Sequence, residues 1–582
     1  MEDQTQRIFE VEPRTTVEIH LPDGRVYSGP RGLPVEVFMR RLPEWGKPPI
    51  TGAVVNGELR ELTYPIDMDA RVHPVDMSDA DGARIYRRSL VFLLQAAFED
   101  TFPQAGLVVD HSVVSGGYFC HVIDHPPLSD EQVTQLEGRM KEIVEKNMPI
   151  ERQITPIQEA LAFFERKRQY DKLQLMKYRN KDHFVLYQLD DHRDYHHGYM
   201  VPSTGFLKWF CLMPLGEGFI LQYPRRHNPT EILPILGASN LLETFHQYGN
   251  WLNKLGIESV GSLNDSIQAG RIREIILVSE ALHEQKIAEI ASQIAERQGK
   301  VQIVLAAGPS SSGKTTFSKR LAVQLLAQGI APMAVELDNY FVDREETPLD
   351  ENGQYDYEAL GALNTRRLGE DMRRLIEGEE VQLPHYNFLT GQSEPGEVVR
   401  LEKDQIIILE GIHGLNPGLL PAVPNDLTMR IYISCLTQLN LDHYNRISTT
   451  DTRLIRRIVR DAHERGYSAL QTIQRWESVR RGEKRYIFSH QDNANEIFNS
   501  ALAYELSALK PLAMPLLRQV PFGTPEYIEA KRLLAFLEWF LPIDADLIPD
   551  NSILREFLGN SILKDFKLWK RSPKPKIDTQ LT

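Results

Sequence analysis

Residues 301–316 read VQIVLAAGPSSSGKTT, a run of β-forming apolar residues that passes without a break into Gly308-Pro309-Ser310-Ser311-Ser312-Gly313-Lys314-Thr315. No other stretch constrains the fold so tightly. The glycines let the backbone curl so that successive N–H groups point inward at an anion. Lys314 then reaches the outer oxygens of a phosphate chain, and the Thr315 hydroxyl can join the coordination shell of Mg²⁺. Residues 316–327 carry a helical pattern whose positive end, at Thr316, adds to the same seat. An ordinary glycine-rich turn would need neither the strand before it nor the helix after it. The segment is therefore read as a nucleotide-binding P-loop formed by Gly308, Ser310, Ser311, Ser312, Gly313, Lys314, Thr315 and Thr316.

The residues that follow supply the rest of a phosphoryl-transfer site. Residues 332–337 form a second strand pattern that delivers Asp338 to its C-terminal end, where ligands sit in open parallel sheets. A carboxylate there can take the proton of an attacking hydroxyl, so Asp338 is the candidate general base. The apolar run 405–409 ends in Glu410-Gly411, and Glu410 is placed to hold Mg²⁺ with Thr315. Between Arg453 and Arg485 stand nine arginines and one lysine against four acids. Arg453, Arg456, Arg457 and Arg460 recur at helical spacing, which suits a lid whose guanidinium forks grip phosphate oxygens. A solvated basic helix paired with its own Asp461 and Glu464 is the alternative.

A chain of 582 residues is too long for a single core and implies three or four domains. The formal charge of −14 argues against a surface built for wholesale nucleic-acid binding, although a local basic patch remains open. Cys120, Cys211 and Cys435 lie far apart without metal-type spacing, so a reducing, cytoplasmic setting is expected. The first ten residues do not have a leader's basic and apolar pattern, and the longest apolar stretch, 533–541, carries Glu538 and reads as a buried helix. Hairpin signals at Pro22-Asp23-Gly24 and Asn56-Gly57 place a small β-rich domain at the front. Residues 234–298 have helical periodicity among charges and read as a connector. Two amphipathic stretches, 527–541 and 553–568, read as a helical appendage that seals the nucleotide half or forms a dimer contact. The tail near 570–576 is basic and contains prolines.

Two resemblances follow from particular residues. IHLPDGRVY and AVVNGELRELTYPIDMDARV resemble the TGS domain at the front of threonyl-tRNA synthetases. Residues 85–94, Gly117-Tyr118-Phe119 with 128–140, and the VPSTG at 201–205 resemble the editing domain behind it. That family's metal-type HxxxH and CxxxH positions fall here on Arg88, Phe92, His196 and Met200, which are poor or wrong ligands, so editing chemistry is not expected. His192, His196 and His197 could form a replacement metal site or be hydrogen-bonded loop histidines. RNA or tRNA binding by this front region stays open.

GPSSSGKTT, LDNYF, VQLPHYNF with IILEGIHGLN, and DTRLIRRIVRDAHERG resemble, in that order, the uridine kinase and phosphoribulokinase family. The resemblance implies ATP as donor, Mg²⁺ as cofactor, Lys314, Asp338, Arg453 and Arg457 in catalysis, and Arg456 and Arg460 on ATP. It also implies Tyr340, Glu358, Tyr386, Arg453 and Gln471 on the acceptor. Glu358 stands where the family has an Asp for the ribose, and Gly391 where it has a base-reading His, so pyrimidine selection is weakened. The expected fold is a multidomain α/β chain. It comprises a ubiquitin-like β-grasp domain over 1–80, an editing-like α+β domain over 81–235, a helical connector over 236–298, a P-loop kinase domain over 299–510 with a parallel sheet and helices on both faces, and the appendage over 511–582. The expected activity is phosphorylation of a small-molecule hydroxyl, first a nucleoside 5′-hydroxyl. A non-nucleoside sugar or alcohol is a rival acceptor, and an RNA-associated ATP-driven switch is a reading of another class. Homo-oligomers are compatible with all three.

Overall fold

The computed structural model describes residues 12–113, 116–234, 241–350, 353–437 and 439–566; the basic tail lies outside them. Asn56 (φ 49°) and Gly57 (φ 83°) take the two left-handed positions of a tight hairpin between strands Ile50–Val55 and Glu58–Glu61, as the Asn-Gly pair predicts. The sheet runs Val26–Pro30, Thr16–His20, Ala70–Asp76, Ile50–Val55, Glu58–Glu61. Thr16–His20 lies parallel to Ala70–Asp76 at its centre. Helix Val35–Met39 buries Val35, Phe38 and Met39 against Val17 and Ile19, which completes a β-grasp unit.

Helix Ala80–Thr101 leads into the second unit and is longer than the 85–94 segment read from sequence, because its apolar stripe continues to Phe98. One antiparallel sheet there holds Gly106–Val113, Gly117–Ile123, Gly218–Gln222 and Cys211–Leu215; another holds Glu151–Pro156, His183–Leu189 and His192–Tyr195. Ser129 and Gln132 form a reciprocal capping box that starts helix Asp130–Glu145. The connector is made of helices Leu241–Lys254, Val260–Gln268 and Ile272–Glu296.

The nucleotide half is a parallel sheet in the spatial order Ala331–Glu336, Gln405–Glu410, Ile303–Ala307, Thr428–Ser434, Glu496–Asn499. Every residue of the central strand Ile303–Ala307 is buried, as a strand covered on both faces requires. The chain reverses its direction of travel through the sheet beside this strand, so the P-loop opens at a switch point.

A single apolar core crosses the expected domain boundaries. It runs from Phe164 and Leu186 through Ile287 and Ile290 to Val304, Ile408, Trp539 and Ile553. The segment ahead of the lid helix is also held by the second unit. Asn440 Nδ2 donates to the Asp110 carbonyl (3.0 Å), the His443 amide to Asp171 (3.0 Å), and the His197 amide to Asn445 Oδ1 (3.0 Å). The C-terminal region departs from expectation. Helix Pro525–Leu537 forms, but within 553–566 only Arg555–Leu558 is helical, because Gly559 (φ 84°) and Asn560 (φ 57°) turn the chain left-handed. This short turn seals the P-loop.

Candidate active site

The P-loop is set by backbone geometry that its residues permit. Ser311 (φ 58°) and Gly313 (φ 88°) are left-handed, and a Cβ on Gly308 would collide with the Ile433 carbonyl of the neighbouring strand. Helix Lys314–Ala327 begins directly after Gly313 and turns its first amides toward the loop. Lys314 Nζ donates to the Pro309 carbonyl at 3.2 Å.

Strand register brings the carboxylates to Lys314. Glu410 ends its strand opposite Ala306 on one side and Glu336 on the other, and the short 3-10 turn Leu337–Tyr340 follows Glu336 with Asp338 in it. Thr315 Oγ1 donates to Glu410 Oε1 at 2.8 Å, so the two expected metal ligands meet. Burial pushes the Glu410 carboxyl up to about 7, against Lys314 and the Thr315 hydrogen bond, which pull it down. Burial likewise raises Asp338, opposed by Lys314 and Arg465. Glu358 is pushed up to about 7 by burial and by Glu483 nearby. Asp338, Glu358 and Glu410 thus share the field of one lysine. The Thr315 hydroxyl and the Glu410 carboxylate are hard oxygen donors of the kind that suits Mg²⁺, whose charge would favour the ionised Glu410.

The lid arginines divide into two pairs, which corrects the sequence reading. Arg453 gives Nη1 and Nη2 to Glu483 (2.6 and 2.8 Å) and Nη1 also to the Ser310 carbonyl (3.0 Å). Arg456 is spent on Glu505 (2.6 Å), the Ser500 carbonyl (2.8 Å) and the Ser311 carbonyl (3.4 Å). Both are fully buried and brace the loop from behind, with their forks taken. Arg457 instead reaches the Ser310 hydroxyl (2.9 Å), and Arg460 shares Asp461 (3.4 Å) with it. These two keep donors for a phosphate.

The residues expected on the acceptor side have the following surroundings. Tyr340 is 1% exposed and its hydroxyl donates to Asp371 (3.1 Å), while the residue lines a cavity of about 190 Å³ with Phe341, Asp343, Arg367 and Ser393. Gln471 is exposed and caps the helix Ala469–Tyr486 through Ser468. Tyr386 lies against the turn that carries Asp338. Its amide donates to Asn339, next to Asp338 (3.3 Å), and its ring packs between Phe341 and Phe388. Arg344 fills the space left by Gly391, where a Cβ would lie 2.7 Å from the guanidinium carbon.

Two carboxylates that sequence reasoning missed sit on the loop. Glu483 accepts from the Ser310 amide (2.8 Å), and Glu556 of the C-terminal turn accepts from the amide and hydroxyl of Thr316 (3.2 and 3.0 Å). Ile553 packs on Gly313 beside it. Glu483 was visible only as one of the few acids among the arginines, and Glu556 carried no signal. In the second unit His192 pairs with Glu99 (3.0 Å), His196 with Gln95 (3.1 Å), and His197 lies between Tyr195 and Trp539, so the three rings serve separate partners. Among the described residues no group of three or more His, Cys, Asp or Glu is arranged to hold a metal ion, and no helix is long and apolar enough to cross a membrane.

Comparison with known proteins finds relatives for both parts of the chain. Residues 303–506 match the family described as the phosphoribulokinase/uridine kinase family. The uridine kinase of Ligilactobacillus salivarius is 30% identical over 186 residues, which cover 32% of this chain and 78% of that protein. The chain belongs to the phosphoribulokinase/uridine kinase family. Its front region matches the threonine–tRNA ligase of Thermotoga petrophila at 30% identity over 206 residues, covering 35% of this chain and 31% of the ligase. The chain thus spans about a third of the length of the ligases it matches. Among solved structures, a possible uridine kinase from Bacillus stearothermophilus aligns with a TM-score of 0.26 and 16% identity, over 37% of this chain and 98% of that one.

Proposed function

We propose that the protein is an ATP- and Mg²⁺-dependent kinase that transfers the γ-phosphoryl group to a hydroxyl of a small molecule, with a nucleoside 5′-hydroxyl as the first candidate. The observation that carries this reading is the Thr315 to Glu410 hydrogen bond beside Lys314, with Asp338 in the same electrostatic field. Thr315 and Glu410 are the residues that would hold Mg²⁺, whose charge would offset that developing on the transferring group. Asp338 takes the proton of the acceptor hydroxyl as its oxygen bonds to the γ-phosphorus. The bond from that phosphorus to the bridging oxygen breaks, and the electron pair leaves with ADP. Lys314, Arg457 and Arg460 neutralise the oxygens, and closure of the lid excludes water. Asp338→Asn should abolish transfer of label from γ-labelled ATP while leaving nucleotide binding within about twofold of wild type. Turnover equal to wild type would refute the assignment of the base.

A non-nucleoside acceptor is the second reading, and Arg344 favours it. Its guanidinium packs on Gly391 and donates to the Phe388 carbonyl (3.0 Å), and among the described residues no carboxylate pairs with it. A cation placed there suits an acceptor that carries an anionic group. A panel of nucleosides, sugars and hydroxy acids with labelled ATP separates the readings: phosphorylation of hydroxy acids alone supports the second.

A further inference from the structure

A cavity of about 180 Å³ opens on the sheet Glu151–Pro156, His183–Leu189, His192–Tyr195, against the segment that carries Gly198 and Tyr199. Arg152, Arg179 and Lys181 line it together with Tyr187, Tyr195 and Tyr199. The cations there outnumber their partners. Arg179 (3.2 Å) and Lys181 (3.0 Å) share the single carboxylate of Glu538. Among the described residues Arg152 pairs with Glu61 alone, at 3.6 Å, and that carboxyl also accepts from the Tyr187 hydroxyl at 3.0 Å. Behind the wall, Arg88 packs on Gly198 and donates to the Tyr199 carbonyl (2.7 Å), and among the described residues no carboxylate pairs with it. Burial lowers Arg88 to about 10 but leaves it charged at neutral pH.

Arg179 is held rigidly, its guanidinium 3.9 Å above the Trp539 ring, while its Nη1 is buried with no hydrogen-bond partner. What the cavity offers an anion is therefore the uncompensated charge of Arg152, Arg179 and Lys181, three cations against the two carboxylates of Glu61 and Glu538. The three tyrosines offer an apolar wall beside that charge. His196, on the same wall, is kept neutral by burial, so the positive charge comes from fixed cations and does not depend on histidine protonation. We infer that this cavity is a binding site for a small oxyanion-bearing molecule, a phosphate or carboxylate compound smaller than a nucleotide. The size follows from the volume, which is below that of ordinary cofactor pockets.

The P-loop would also take phosphate, so the test uses the full-length Lys314→Ala chain, with inorganic phosphate and malonate as probes in calorimetric titration. Saturable binding of at least one probe is expected, weakened at least about tenfold by Arg179→Gln, the loss of one charge-assisted contact. Because Arg179 also packs on Trp539, Arg152→Gln is measured alongside it and should weaken binding in the same direction. Absence of saturable binding, or an affinity indifferent to both substitutions in chains of unchanged melting temperature, would overturn the inference. So would capture of an oligoribonucleotide at this cavity in place of either probe.

Discussion

Glu556→Gln tests what the C-terminal turn does to the phosphate seat. Its carboxylate accepts from both the amide and the hydroxyl of Thr316, in the first turn of the P-loop helix, where a phosphate oxygen of a bound nucleotide would compete for the same amide. A carboxylate near a helix N-terminus contributes about 0.3–1 kcal/mol, and up to about 2 kcal/mol when partly buried. The glutamine amide oxygen can still accept from Thr316 but brings no charge, so the loss should be about 1–2 kcal/mol. Without nucleotide, the variant should be less stable by that amount, read as a lower urea midpoint at unchanged slope. The same free energy no longer opposes phosphate, so a non-hydrolysable ATP analogue with Mg²⁺ should bind about five- to thirtyfold more tightly in calorimetry. Stability and affinity must move in opposite directions. An affinity that is unchanged or weaker, with the lower midpoint observed, would show that Glu556 supports the loop without competing for it, and would refute the reasoning.

Two further perturbations probe the electrostatics. Burial raises Glu410 from 4.5 to about 7, so in the Mg²⁺-free protein the unfolded chain releases this proton first. The carboxyl therefore subtracts stability progressively as pH rises from about 4.5 to about 7, and in full above that. The melting temperature of Glu410→Gln relative to wild type should accordingly climb from about pH 5 to about pH 7.5 and narrow when Mg²⁺ and nucleotide are added; a flat difference would place the carboxyl elsewhere in pH. Lys172, with no exposed side-chain surface, joins Asp194 of the second unit (2.8 Å) to Asp442 of the nucleotide half (3.5 Å). Lys172→Met strands two buried carboxylates and should cost about 3–5 kcal/mol in chemical denaturation, whereas a change below about 1 kcal/mol would mean that water reaches the cluster.

The site was legible in proportion to how local its chemistry is. Lys314, Thr315 and Glu410 sit at the ends of strands or in a glycine-shaped loop, where spacing alone fixes the backbone, and Thr315 bonds Glu410. The lid arginines were legible as a helix but not in their roles. Arg453 and Arg456 look the same as Arg457 in sequence, and only the helices packed around them reveal that Glu483 and Glu505 occupy their forks. For Tyr340 and Phe341, adjacent in a short turn, only the packed chain shows that the first bonds Asp371 and the second packs on Tyr386. The 553–568 stretch read as a helix from its apolar pattern, but the left-handed residues Gly559 and Asn560 end it after one turn.

By itself the sequence determined the phosphate seat, the parallel sheet beneath it and the β-grasp hairpins, because each rests on residues close in the chain whose φ/ψ preferences and periodicity act locally. Only the tertiary structure decided that Glu556 lies on Thr316, some 240 residues away in the chain, that a front-half lysine is locked to the segment ahead of the lid, and that one core binds the halves together. Those contacts depend on burial and on the pairing of distant charges, which are properties of the packed chain and leave no periodic trace in the order of its residues.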